Sequence, residues 1–225
     1  MPLLENKIIA IENVWLSYTD KNILEDINLD IYQGDFLLIT GPNGGGKTSL
    51  LRTILRLQSP TKGRISFFRQ GEPVSSLDMG YLPQKNSIDS RFPITVEEVV
   101  ASGLMGNTQK GNTKFDSKKE IDEMLDLMGI TALRNKPIGV LSGGQLQRSL
   151  FGRALISKPE MLILDEPASY IDRQFGNRMF EILRDLSSNG TTIMMVSHEI
   201  EPFITLSNRN LYINCLLYTS DAADE

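Results

Sequence analysis

Gly41-Pro-Asn-Gly-Gly-Gly-Lys-Thr48 constrains the architecture of this chain more than any other segment. It fits the pattern G-x-x-x-x-G-K-[ST], in which a glycine-rich turn precedes a lysine and a hydroxyl residue. Residues 36–40 before it are almost wholly apolar, which is typical of a strand buried on both faces. Residues 48–57 after it have apolar side chains at helical spacing. The segment therefore predicts a buried strand, a tight loop and a helix, in that order.

The same loop predicts phosphate binding. Glycines allow successive backbone N–H groups to turn inward and form a nest for anions, and the helix N-terminus adds partial positive charge. From such a loop Lys47 can reach the β- and γ-phosphates of a nucleotide, and the Thr48 hydroxyl can ligate Mg²⁺. We therefore expect a nucleotide site here.

Length and composition indicate a globular protein of one domain. The chain has 225 residues, of which 40% are hydrophobic and 23% are charged, as is usual for folded domains. No stretch is apolar for long enough to span a bilayer, and no secretory signal is visible, so we expect a cytosolic protein. One cysteine and one histidine, His198, exclude a disulfide framework and a multi-histidine metal site. The net charge of -5 argues against nucleic-acid binding by bulk electrostatics.

Residues 215–225 do not fit the sequence that precedes them. They read as one translated frame of the adapter that transposase-based sequencing kits attach to DNA. We therefore expect the natural sequence to break off near Asn214, and we give residues 215–225 no function.

Hydrophobic periodicity predicts alternating strands and helices. The expected strands are residues 8–14, 23–31, 36–40, 65–68, 79–82, 161–164 and 192–196. The expected helices are residues 48–57, 96–102, 116–128, 144–156 and 173–187, with a capped start at Asp116 and an exposed loop over 103–115. The pattern indicates an α/β sheet core interrupted by a mostly helical insert at about residues 90–150.

A second acidic strand supports the nucleotide site. Residues 161–166, Met-Leu-Ile-Leu-Asp-Glu, form an apolar run that ends in two carboxylates. At the carboxyl end of a strand in an α/β sheet, such groups point into the crevice where ligands bind. Asp165 is suited to holding the hydration shell of Mg²⁺, and Glu166 is suited to orienting or deprotonating an attacking water.

Leu141-Ser-Gly-Gly-Gln-Leu-Gln-Arg148 is the most specific string in the chain. Together with the phosphate loop and the acidic strand, it resembles the nucleotide-binding subunit of ATP-binding-cassette (ABC) transporters over residues 7–214. The resemblance implies an α/β fold of the P-loop NTPase class and ABC type. Such a fold has a RecA-like sheet core, an N-terminal antiparallel β portion and a helical insert. It also implies a single ATPase domain over residues 1–214, with a helical subdomain at about 90–150.

The resemblance implies roles for individual residues. Tyr18 matches the aromatic residue that stacks on adenine, Asp172 the aspartate of the D-loop, and His198 the switch histidine. The phosphate loop comprises Gly41, Pro42, Asn43, Gly44, Gly45, Gly46, Lys47, Thr48 and Ser49. The signature motif comprises Ser142, Gly143, Gly144 and Gln145. The implied catalytic residues are Glu166, His198, Gln84 and Lys47, and the implied Mg²⁺ ligands are Thr48, Gln84 and Asp165.

The signature motif predicts that the site is completed by a partner chain. Residues 142–145 precede a helix and offer a hydroxyl and bare glycine N–H groups beside its positive end. In the family this motif faces the phosphate loop of a second subunit, so that two chains enclose two ATP molecules. His198 then contacts the γ-phosphate, and hydrolysis weakens the contacts that hold the dimer closed. We expect a dimer, most simply of this chain, that uses positioning and electrostatics rather than covalent catalysis.

Residues 81–96, which begin at the end of the expected strand 79–82, indicate which solute is transported. The sequence Asp89-Ser-Arg-Phe-Pro-Ile-Thr-Val96 after Gln84 resembles zinc and manganese importers. The resemblance implies permease subunits, an extracytoplasmic solute-binding protein and a location on the cytoplasmic face of the membrane. An importer of iron chelates, cobalamin or another small solute stays open, as does a non-transport ATPase. The compact insert and acidic charge speak against a DNA-associated cassette.

Two positions depart from the family pattern. Gly45 stands where a small side chain is commoner, a change that we expect to do little harm. Residues 168–172 read Ala-Ser-Tyr-Ile-Asp instead of the commoner Ser/Thr-rich, leucine-containing D-loop. Asp172 is retained, so the departure concerns the detail of the dimer contact.

Overall fold

The computed structural model describes residues 6–18, 21–84, 92–105, 114–198, 201, 203–214 and 217–220. The chain forms two compact units. The first comprises residues 1–77 and 180–225, and the second comprises residues 78–179. Glu199, residues 85–91 of the importer-like string and residues 106–113 of the expected loop lie outside the described residues. No helix among the described residues is both long and apolar enough to cross a bilayer.

An antiparallel sheet makes up much of the first unit. Its strands are β1 (Lys7–Tyr18), β2 (Lys21–Tyr32), β4 (Lys62–Arg69) and β5 (Glu72–Val74), in the order β2-β1-β4-β5. Alternation of apolar and polar residues drives this arrangement, since Ile27, Leu29 and Ile31 of β2 are buried. This sheet is the N-terminal antiparallel portion that the resemblance implies.

The first unit also contains three parallel strands that position the phosphate loop. The strand β3 (Phe36–Thr40) lies between β8 (Thr192–Val196) and β9 (Arg209–Asn214) and is parallel to both. The strand β10 (Leu217–Ser220) is antiparallel to β9. Phe36 to Ile39 are all buried, as their apolar character predicts. The helix α1 (Lys47–Ile54) follows β3 after the glycine-rich loop.

The second unit is mostly helical. The strands β6 (Met79–Leu82) and β7 (Met161–Asp165) are parallel partners. Between them in sequence, the described residues form the helices α2 (Val96–Ser102), α3 (Lys114–Leu127) and α4 (Gly143–Leu155). Short 3₁₀ turns form at Thr131–Leu133 and Ile138–Val140. The helix α5 (Arg173–Ser188) begins in this unit and continues into the first.

Several element ends differ from the sequence-based prediction. The helix α1 ends at Ile54 rather than at residue 57. Arg56 adopts φ 56°, and the Leu57 N–H donates to the Arg52 carbonyl, which is the closing bond of a left-handed helix stop. The helix α3 begins at Lys114, so the capped start expected at Asp116 is wrong. The strands β5, β9 and β10 were not predicted.

Candidate functional site

Two glycines of the phosphate loop are required by close packing and by backbone conformation. Gly41 has φ 137°, and a Cβ there would lie 1.9 Å from the carbonyl oxygen of Ile213 in β9. Gly46 has φ 93°, and its Cβ would lie 2.8 Å from the Ile23 carbonyl oxygen. Both values are incompatible with a side chain unless the backbone moves. The loop therefore packs closely against β2 and β9.

Gly45, the departure from the family pattern, is also tightly enclosed. A Cβ at Gly45 would lie 2.9 Å from the carbonyl oxygens of Ile213 and Pro42. The Gly45 N–H donates to the same Pro42 carbonyl at 3.0 Å. The absence of a side chain at this position therefore allows β9 to approach the loop closely.

Lys47 places a positive charge inside the loop. Its side chain is only 6% exposed, and its Nζ donates to the carbonyl oxygens of Gly41 and Pro42, both at 2.8 Å. The helix α1 starts after Gly46, which contributes no capping side chain, and no acidic residue occupies the first turn. Backbone N–H groups at such a helix start favour an anion. Thr48 and Ser49 are half-buried in this first turn, and Pro42, Asn43 and Gly44 form the exposed rim of the loop.

Tyr18 and His198 belong to the same unit as the phosphate loop. Tyr18 ends β1 with 51% of its surface exposed, so its ring is accessible. His198 is an exposed residue two positions after β8. Because β8 is parallel to β3 and Ile39 pairs with Val196, His198 follows the same carboxyl edge as the loop. The sheet thus brings the histidine and the loop to one edge, as an α/β ligand site requires.

The acidic pair and Gln84 belong to the second unit. Asp165 is 1% exposed at the end of β7, and Glu166 follows with φ 52°. Gln84 is half-buried two residues beyond β6. Leu82 pairs with Leu164 in the parallel register, so Gln84 and the two carboxylates follow neighbouring strand ends. A backbone in the left-handed region is uncommon for a glutamate, and it redirects the chain directly after the buried strand.

The signature residues form the start of α4. The Ser142 hydroxyl accepts a hydrogen bond from the Gln145 N–H at 3.3 Å, and the Gln145 side-chain oxygen accepts one from the Ser142 N–H at 3.0 Å. This reciprocal pair is a capping box. The Ser142 oxygen acts only as acceptor in it, so the hydroxyl proton can still be donated. A Cβ at Gly144 would lie 2.9 Å from the Tyr170 carbonyl oxygen, so this glycine permits close approach of residues 168–172.

A cavity of about 530 Å³ opens over the signature residues. Its lining includes Ser142 to Gln145, Arg148, Tyr170 and Asp172. The Asp172 carboxylate accepts from the Phe175 N–H at 2.9 Å and forms an ion pair with Arg148. These two contacts lower the pKa of Asp172, the Phe175 N–H having the larger effect. The signature and the D-loop aspartate therefore share one surface of the second unit.

Four residues of this surface and of the turn that contains Glu166 were not predicted from the sequence. Gln147 and Arg148 lie within the quoted string 141–148, directly after the signature, and Ser169 and Tyr170 lie within 168–172. Gln147 donates to the Pro167 carbonyl, and the Ser169 hydroxyl donates to Glu166 Oε2 at 3.3 Å. Helical spacing could have indicated Gln147, a polar residue at an inward-facing position of α4.

Comparison with known proteins identifies the family. The sequence pattern of the ABC transporter family matches residues 24–169. A Chlamydia pneumoniae protein named "Probable metal transport system ATP-binding protein" is 40% identical over 197 residues, 86% of this chain and 80% of that protein. The zinc uptake system ATP-binding protein ZurA of Listeria innocua is 36% identical over 225 residues, 98% of this chain and 88% of that protein.

A solved structure supports the fold. It is a dimeric ATP-binding cassette in a post-hydrolysis state bound to ADP and Pi. Its TM-score is 0.82 at 24% identity, with 96% of this chain and all of that chain covered. The expected α/β cassette fold and the resemblance stated from the motifs are both confirmed. The chain belongs to the ABC transporter family.

Proposed function

We propose that this chain is the ATP-binding and ATP-hydrolysing subunit of an ABC importer for a divalent metal ion, zinc or manganese. The observation that carries the nucleotide part is the buried Lys47 ammonium held across the phosphate loop at the start of α1. The metal part is supported by relatives named for metal transport and zinc uptake. ATP hydrolysis in this subunit drives movement of the ion through partner subunits.

Nucleotide binding uses the first unit. Backbone N–H groups of residues 43–46 and of the first turn of α1 surround the β- and γ-phosphates, and Lys47 neutralises their charge. The charge-assisted bonds from Lys47 to phosphate replace those to the Gly41 and Pro42 carbonyls. The exposed Tyr18 ring stacks on adenine.

The donor set fits Mg²⁺. Thr48 offers a hydroxyl, Gln84 an amide oxygen and Asp165 a buried carboxylate, and a hard cation prefers such oxygen ligands. When bound, the ion supplies charge neutralisation on the phosphate oxygens. These three residues would hold it directly or through its water shell.

Hydrolysis depends on positioned charges. Glu166 orients the attacking water and accepts its proton, and His198 and Gln84 contact the γ-phosphate region. The Ser169 hydroxyl, 3.3 Å from Glu166 Oε2, helps to fix the direction of that carboxylate. Catalysis therefore rests on positioning and electrostatic stabilisation.

Partner chains complete the proposed transporter. Residues 142–145 face the nucleotide of a second copy, and Asp172 contributes to the same dimer contact. The dimer binds permease subunits at the cytoplasmic face of the membrane, and a solute-binding protein delivers the ion from outside. One ATPase domain spans residues 1–214, with its helical subdomain at about 90–150.

The variant Lys47→Ala tests the nucleotide site. Removal of the ammonium deprives the phosphates of their buried cation, so we expect ATP binding to be lost in calorimetric titration. Arg52→Ala, which removes an exposed cation of the same helix, should bind ATP as the wild type does. Undiminished ATP affinity of Lys47→Ala would contradict the assignment.

Uptake measurements test the transported ion. Cells that lack this gene should lose high-affinity uptake of zinc or manganese and regain it on complementation with the wild-type gene. The Lys47→Ala gene should fail to restore it. Loss of iron-chelate or cobalamin uptake instead would leave the ATPase in place and overturn the metal assignment.

Genomic sequencing tests the status of residues 215–225. We expect source DNA to lack codons for residues 215–225 after codon 214, and to carry genes for a permease and a metal-binding receptor nearby. Codons for residues 215–225 in the genome would show that the adapter interpretation is wrong.

A further inference from the structure

Gln147 is a polar residue in the interior of α4. Only 1% of its surface is exposed, and most of its buried neighbours along the helix are apolar. The buried apolar residues of α4 are Leu146, Leu150, Phe151, Ala154 and Leu155. An amide at such a position loses its hydration on folding and must find partners within the protein.

The Gln147 amide reaches the turn that follows β7. Its Nε2 donates to the Pro167 carbonyl oxygen at 3.2 Å, and the Glu166 carbonyl oxygen lies 3.5 Å away. The opposite amide orientation would set its oxygen against two carbonyl oxygens, so the hydrogen-bond network fixes the donor on this side. The side chain thus connects the signature helix to the backbone that carries Glu166.

The stability of α4 does not explain why an amide side chain occupies this buried position. Gln147 Oε1 is buried and has no hydrogen-bond partner within the described ranges of the chain. A half-satisfied buried amide is less favourable than an apolar side chain of similar volume, because the unpaired oxygen has lost its hydration. Its presence indicates that the bond to the Pro167 carbonyl has a use beyond packing.

The turn that Gln147 holds is conformationally demanding. Glu166 has φ 52°, a region that residues with a side chain rarely adopt. The Ser169 N–H donates to the Glu166 carbonyl at 3.2 Å, and the Ser169 hydroxyl donates to Glu166 Oε2 at 3.3 Å. Those bonds lie within the turn itself, whereas Gln147 ties the turn to a separate helix. The direction of the Glu166 side chain depends on both.

We propose that Gln147 is a positioning residue for Glu166. It holds the carbonyls of Glu166 and Pro167 so that the carboxylate points at the attacking water. The inference rests on the proposed ATPase function and adds a role for the signature helix within its own chain. The start of α4, capped by Ser142, would then contact the nucleotide of the partner. One turn further along, Gln147 would position the catalytic carboxylate of its own chain.

The test compares Gln147→Met with Ser149→Ala in the purified 225-residue chain, with ATP and Mg²⁺. Methionine keeps the volume and removes the donor. Alanine at Ser149 removes a buried hydroxyl of the same helix that donates to the Gln145 carbonyl. For Gln147→Met we expect kcat to fall on the order of 10- to 100-fold, as a small misplacement of a reacting group does. KM and ATP affinity should stay within about twofold of the wild type, and Ser149→Ala should leave kcat within about twofold.

Contrary results distinguish the positioning role of Gln147 from the proposed ATPase function. If Gln147→Met hydrolyses ATP at the wild-type rate while Glu166→Gln does not, Gln147 is not a positioning residue and the ATPase assignment stands. If kcat falls only in proportion to the unfolded fraction in circular dichroism, the role is structural alone. If Gln147→Met does not fold, Gln147→Leu, which also lacks the donor, decides: a folded variant with wild-type kcat overturns the proposal. A wild-type chain without hydrolysis would contradict the proposed function itself.

Discussion

Asp172 determines where α5 begins. Its carboxylate caps the Phe175 N–H at 2.9 Å and pairs with Arg148, and its own carbonyl accepts from the Gly176 N–H. The Arg148 guanidinium also lies 4.5 Å from the centre of the Phe175 ring. One carboxylate therefore joins the start of α5 to the signature helix within the second unit.

Acid should weaken this junction. The pKa of Asp172 is lowered in the folded chain, first by the Phe175 N–H and then by Arg148, from an ordinary value of 3.8. A lowered native pKa means that the carboxylate stabilises the fold above about pH 4, and that this contribution is lost as pH falls through the native value. Asp172→Asn should therefore melt below the wild type at pH 7, and the difference should shrink below pH 3.8.

Thermal melts from pH 7 to pH 3 measure this difference, with Asp185→Asn as the control. Asp185 is an exposed carboxylate near the end of α5, so its variant should follow the wild type throughout. Equal melting temperatures of Asp172→Asn and the wild type at pH 7 would show that the negative charge of this carboxylate contributes nothing to stability.

At the scale of elements, the buried parallel strands and the amphipathic helices were predictable from sequence. The strands β3, β6 and β8 and the helix α2 have the expected bounds, because each is an apolar run with clear polar ends. The strand β9 was missed since its apolar run, Leu211 to Ile213, is only three residues long and lies between polar Asn210 and Asn214. Its pairing with β3 joins residues far apart in the chain, so local pattern cannot reveal that Ile213 packs on Gly41.

The candidate site also has a part that the sequence predicts and a part that it does not. Motif spacing indicated the loop, the acidic pair and the signature, because each is contiguous in sequence. The contacts of Gln147 with the Glu166 turn could not be predicted, since they depend on how α4 packs beside β7. Sequence patterns specify which side chains are present, and tertiary packing specifies what holds them.

The packing of β9 on the phosphate loop predicts unequal costs for two glycine substitutions. Gly41→Ala would push a Cβ into the Ile213 carbonyl, 1.9 Å away, so we expect a loss of more than about 4 kcal/mol in the free energy of unfolding. A Cβ at Gly34 would have no atom within 4 Å, so only the φ of 81° opposes Gly34→Ala. We expect that substitution to cost about 1–2 kcal/mol. Urea titration distinguishes the two, and equal losses would contradict the tight approach of β9.

The cap of α4 predicts a separation of stability from activity. Ser142→Ala and Thr95→Ala each remove a capping-box hydroxyl, from α4 and α2 respectively. Both should lose about 1 kcal/mol of stability. Only Ser142→Ala should also lose ATP-dependent dimerisation and hydrolysis, because we propose that its hydroxyl contacts the nucleotide of a partner chain. Equal activity of the two variants would limit Ser142 to a helix cap.

At the scale of the whole molecule, the chain carries two features suited to binding phosphate. The loop at residues 41–46 with Lys47 is on the first unit, and the signature start of α4 is on the second. In the proposed function, one chain binds its own nucleotide and offers a second surface, with its cavity of about 530 Å³, to another chain. Two copies would together bind two ATP molecules, and ATP itself would be part of the interface.

ATP-dependent dimerisation of Glu166→Gln tests this account most directly. The amide keeps the shape of the side chain and cannot accept the proton of water, so ATP binds and is not cleaved. Light scattering coupled to size-exclusion chromatography should show monomers without nucleotide and a stable dimer with ATP and Mg²⁺. Monomers at saturating ATP, or hydrolysis at the wild-type rate, would contradict the assignment of Glu166 and of the shared nucleotide site.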